Sequence, residues 1–94
     1  MKLDKLIEDL LAIQEELKEQ EIDTSEVEVL AGTQPTYPLT NVVLGAVHGK
    51  TIEDESEKEL GDAERKAVWL ATEQVSSWSD YNPYAPKALW EVAR

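Results

Sequence analysis

Apolar positions recur every three or four residues at the start of this chain, then give way to short alternating runs. Set at 100° intervals, Leu3, Leu6, Ile7, Leu10, Leu11, Ile13 and Leu17 fall within one arc of about 160°. Asp4, Glu8, Asp9, Glu15, Glu16 and Glu19 lie on the opposite side. This spacing predicts an amphipathic helix over residues 3–20 with its apolar stripe turned to a core. "DTS" at Asp23 to Ser25 reads as the break that follows.

Beyond the break the period changes. "VEVLAG" alternates briefly and predicts a strand over residues 27–31, closed by Gly32. "TQPTYPLTN" holds two prolines, each lacking a ladder donor, and is excluded from an inner strand. "NVVLGAVHG" predicts a central strand over residues 41–48, in which Gly45 marks a bulge or a close helix crossing. "KAVWLATEQV" predicts an antiparallel partner over residues 66–75, with Trp69 in the core. Residues 51–65 form an acidic connection, where Thr51 and Asp54 have capping-box spacing and Gly61 limits any helix. "PKALWEVAR" predicts a short helix over residues 86–93, with Pro86 in its first turn and Leu89, Trp90 and Ala93 on one side. The expectation is one α+β domain spanning residues 1–94. It is a small three-stranded, mainly antiparallel sheet packed against an N-terminal helix and a short C-terminal helix.

Charge narrows the partners. The chain carries 20 acidic and 9 basic residues, for a net charge of −11. Phosphate contacts need clustered Lys and Arg, so direct nucleic-acid binding is not expected, nor is docking on anionic membranes. Charges interrupt every apolar run near Met1, so neither a signal peptide nor a membrane span is expected. With no Cys, a disulfide framework and a thiolate metal site are excluded, which fits a cytoplasmic setting. The like-charged pairs Asp4–Glu8 and Glu15–Glu19 are helical neighbours, each pair costing a few tenths of a kcal/mol. A helix that tolerates them offers an acidic face that stands in for nucleic acid and enters a basic groove on another protein. High solubility is the plainer account of the same residues.

No reaction chemistry emerges. The one histidine, His48, would need Ser76 or Ser77 and Asp80 to form a nucleophile, base and orienter, but no nucleophile motif surrounds either serine. "EDESEKELGD" puts Lys58 where a calcium loop needs an oxygen, so no metal site is expected. The glycines are isolated, and no cofactor signature appears. The chain is read as non-catalytic and without a cofactor.

The aromatic residues carry the remaining signal. Trp78, Tyr81 and Tyr84 stand in a loop punctuated by Ser, Asp, Asn and Pro, and Tyr37 lies in a second Pro-rich loop. Tyr and Trp are enriched in binding hot spots because they offer large area with few rotors to freeze. These four are the partner-binding candidates, alternatively a lid over the open end of the core. The helix "LIEDLLAIQEELKE", the "VEV" strand and the "VWL" strand together resemble small uncharacterised acidic proteins of bacteria and their phages. That resemblance implies an α+β layer and an intracellular setting, and supplies no catalytic residues. The functional expectation is a small binding module whose partner is another protein or a second copy of itself.

Overall fold

The computed structural model describes residues 1–76 and 80–93. In chain order it contains helix α1 (Leu3–Glu19), a 3-10 turn (Thr24–Glu26), strands β1 (Leu30–Thr33) and β2 (Leu39–His48), helices α2 (Gly49–Ser56) and α3 (Asp62–Lys66), strand β3 (Val68–Gln74) and helix α4 (Ala88–Val92). The strands form one open antiparallel sheet in the order β1-β2-β3. The protein is therefore an α+β fold with an N-terminal helix and a short C-terminal one.

Helix α1 ends in a hydrogen-bonded reversal. The Ile22 amide donates to the Leu17 carbonyl and the Glu21 amide to the Lys18 carbonyl, both at 3.0 Å. This arrangement satisfies carbonyls that the helix end leaves free, and it places Glu21 in the left-handed region at φ 60°. Asp23 then caps the 3-10 turn, accepting from the Ser25 amide at 3.0 Å and its hydroxyl at 2.7 Å. These contacts, the hydroxyl first, hold the Asp23 carboxyl below the ordinary Asp range. The turn also spends the Val27 amide on the Thr24 carbonyl. That explains why β1 starts at Leu30 rather than at the Val27 its alternation predicts.

In the sheet, β2 pairs with β1 from Leu39 to Val42 and with β3 from Asn41 to His48. The register shifts between Val43 and Gly45, so Gly45 lies at a bulge. An added Cβ there would meet nothing within 4 Å, so no helix crosses at this position. The acidic connection folds into two helices, α2 and α3. The capping-box expectation for Thr51 and Asp54 fails, because α2 begins earlier, at Gly49, with no side-chain cap. Gly49 sits where the two helices meet: its amide donates to the Ala67 carbonyl at 2.9 Å, and a Cβ would strike the backbone of Glu64 and Arg65.

Among the described residues, close packing occurs at the α2–α3 crossing around buried Gly49 and at one further seam. Val75, Ala85 and Thr40 are buried, tied by Thr40 N–H to the Pro83 carbonyl at 2.9 Å and Val75 N–H to the Thr40 carbonyl at 3.2 Å. At the same end, Leu89 and Trp90 of α4 press on Gly32 of β1. Trp69 departs from its expected core position. It is 43 % exposed, and its indole N–H donates to the Glu64 carbonyl at 3.0 Å, which turns the ring along the α3 end of the sheet.

Helix α1 departs further, since none of its residues is buried. Leu3, Ile7, Leu10, Leu11 and Ile13 are all exposed, Leu11 to 60 %. The accessible surface is 7836 Å², roughly 2,300 Å² above the ~5,500 Å² of a typical folded monomer of 10.6 kDa. The radius of gyration is 15.6 Å, against about 12 Å for a compact chain of this length. The stripe is helical as its spacing requires, but the short sheet presses no layer onto it.

Candidate interaction surface

Two apolar hollows flank the stripe of α1. One, of about 520 Å³, lies where Met1, Leu3 and Leu6 approach Ala67, Val68 and Leu70. The other, of about 300 Å³, lies between Ile7, Leu10, Ile13 and Leu17 on the helix and Val27 and Val29 ahead of β1. Side chains alternate across a strand, so Val68 and Leu70 share the sheet face turned toward α1 while Trp69 points the other way. The helix and the sheet thus form the walls of a greasy trough that this chain leaves open. Lys2 and Lys66 line its first hollow, so some positive charge stands at that end.

A second exposed feature is aromatic. Tyr37, in the turn before β2, and Tyr84 meet edge to face, with ring centroids 6.0 Å apart and planes at 86°. Hydrogen bonding to the Tyr84 hydroxyl pushes the Tyr37 phenol above its usual range. Both rings remain open to solvent, at 59 % and 58 %. Tyr81 is exposed nearby in sequence. The segment carrying Tyr84 divides its work: Pro83 and Ala85 close the buried seam through backbone bonding and packing, while the ring of Tyr84 faces outward. Its Tyr84 amide donates to the Asn82 side chain at 2.9 Å, fixing the local turn. Trp78, together with Ser77, lies outside the described residues.

The acidic face keeps to α1. Asp4, Glu8, Glu15 and Glu19 are exposed on the helix, and Asp9 pairs with Lys5 at 2.8 Å. The second acidic block is organised differently. Glu53 accepts from the Leu60 amide at 2.9 Å and from Arg65 Nε at 3.0 Å, while Arg65 also donates to Asp62 at 2.7 Å and to the Leu60 carbonyl at 2.8 Å. The Leu60 amide, with smaller help from Arg65 and Lys50, holds the Glu53 carboxyl below the ordinary Glu range against the opposing effect of burial. Glu53, followed by Asp62, raises the Arg65 guanidinium in turn. This is a structural clasp that ties α2 to α3. Reading residues 51–65 as an acidic connection missed it, because Glu53 and Arg65 are twelve positions apart and obey no local spacing rule.

His48 ends β2 as expected and is exposed. Among the described residues, no group of three or more His, Cys, Asp or Glu is placed to hold a metal ion, and no helix is long and apolar enough to cross a membrane. The open side of α1 was legible only as a core-facing stripe, and periodicity carries no information on whether a core arrives. The chain matches no family model, and comparison with curated proteins and with solved structures finds no similar one.

Proposed function

We propose that this chain is a small, non-catalytic interaction module that works in the cytoplasm by binding another protein or a second copy of itself. The observation that carries this reading is the exposure of the α1 stripe beside an equally open sheet face. Monomeric soluble proteins rarely leave contiguous apolar patches larger than a few hundred Å² uncovered, and larger ones mark interaction sites. Tyr37 and Tyr84 add rigid aromatic area at a different place on the surface.

The test is capture of identified proteins on immobilised chain, comparing wild type with a Tyr37→Ala/Tyr84→Ala double variant and with Leu10→Glu. Loss of a bound protein, or of self-capture, in one of the variants supports the reading. Identical captured sets from all three sink it. A second reading draws on the exposed acids of α1: Asp4, Glu8, Glu15 and Glu19 would occupy a basic groove in place of nucleic acid. Salt separates the two. A mimic's affinity collapses between low and moderate ionic strength, whereas an apolar interface changes little.

A further inference from the structure

We infer that the trough along α1 is filled by a second copy of this chain, with the two α1 helices packed antiparallel about Leu10. This rests on the interaction-module reading and commits it to one occupant and one geometry. The first argument is area. The whole chain exposes roughly 2,300 Å² more than a folded monomer of its mass, with the trough one part of that excess, and each partner of an obligate dimer hides ~1,000–2,500 Å². A small peripheral ligand would leave most of it open.

The second argument is the stripe itself. Five of its seven residues, Leu3, Ile7, Leu10, Ile13 and Leu17, are spaced at steps of four, three, three and four, with Leu6 and Leu11 outside this matched set. The sequence of steps reads the same from either end. An antiparallel copy therefore brings Leu3 onto Leu17, Ile7 onto Ile13 and Leu10 onto its own counterpart. A two-fold interface needs this self-complementarity, since the same patch must serve both partners.

The third argument is the placement of the hollows. One sits beside Leu3 and Leu6, the other beside Ile13 and Leu17. Under an antiparallel pairing, the C-terminal half of each helix reaches the N-terminal hollow of the other copy, so both troughs close in one step. The carboxylates of Glu8, Glu15 and Glu19 lie away from the stripe, which lets two strongly acidic chains approach along their least charged side.

Sedimentation equilibrium and cysteine linking test this. The wild type at roughly 100 μM, a concentration far above the dissociation constants of interfaces this large, should have twice the 10.6 kDa mass of one chain. Because the chain has no Cys, Leu10→Cys should be its sole thiol and should give a covalent dimer with mild oxidation or a short bismaleimide. Leu17→Cys alone should not link, whereas Leu17→Cys mixed with Leu3→Cys should. Leu10→Glu should weaken pairing by about 100-fold or more, since two like charges would meet on the two-fold axis. A wild-type monomer at that concentration overturns the inference. So does a dimer that Leu10→Cys fails to link, because the copies then meet through another surface. In either case the interaction reading stands or falls separately, on whether the tyrosine variant or Leu10→Glu loses a captured protein other than this chain.

Discussion

Gly45 and Gly49 lie four residues apart, yet a Cβ at Gly49 would strike the backbone of α3 while one at Gly45 would meet empty space. The two positions sample two halves of the molecule. Around Gly49 the chain is closed: α2 and α3 cross tightly, and Glu53 and Arg65 clasp them. Along β2, β3 and α1 it is open, with apolar side chains half in water. Both regions are built from sequence that an ordinary folded domain would use. The difference teaches that a short chain can satisfy its polar groups internally and still lack enough layers to cover its apolar ones.

The contrast has a largest expected effect at the glycines. Gly49→Ala should force α2 and α3 apart, because the obstacle is rigid backbone, and should cost about 3 kcal/mol in a urea titration. Gly45→Ala should change stability by less than about 0.5 kcal/mol in the same measurement. Equal costs at the two sites would erase the distinction between a closed and an open half.

Acid should attack the closed half through its clasp. Glu53 is held below its ordinary pKa of 4.5 in the folded chain, so its contribution is complete above that value and is lost as pH falls through the lower folded pKa. Thermal melts between neutral pH and pH about 3 should show a loss of stability that Glu53→Gln reduces. An unchanged acid profile in Glu53→Gln would mean the clasp contributes nothing. A modest effect of the opposite sign is expected at the end of α1. Glu21 occupies the left-handed region at φ 60°, so Glu21→Gly should raise stability by about 0.5–1 kcal/mol. A destabilising result would show that the reversal at Leu17 to Ile22 does not form.

Much of the architecture was legible in the residues. The helix at residues 3–20 is α1 to within a residue at its end, and the three strands appear in the expected order and pairing. The prolines Pro35 and Pro38 stay out of the sheet, but Thr33 ends β1 and Leu39 to Asn41 begin the central strand β2, so the exclusion held for the prolines and not for the ends of their segment. Boundaries moved where side chains or close crossings intervened, as at the Asp23 cap ahead of β1 and at Gly49, which starts α2 before the expected Thr51. Trp69 was assigned to a core on the strength of its strand, but strand type does not say which face is covered. The tyrosine pair lay further out of reach: "QPTYPL" and "NPYAP" are each ordinary turns, and only the sheet brings Tyr37 against Tyr84.

The sequence by itself determined the helical stripe, the strand-forming runs and the separation of acids from the apolar middle. Those features depend on neighbours one to four positions away, and local geometry enforces them whatever the rest of the chain does. Tertiary structure alone decided that the Glu53 carboxylate would close on Arg65, that Tyr37 would meet Tyr84, and that the leucines of α1 would remain open along a trough. Burial is a relation between distant segments, set by how many layers the chain can stack. A chain this short, with three strands and one long helix, runs out of layers before the stripe is covered.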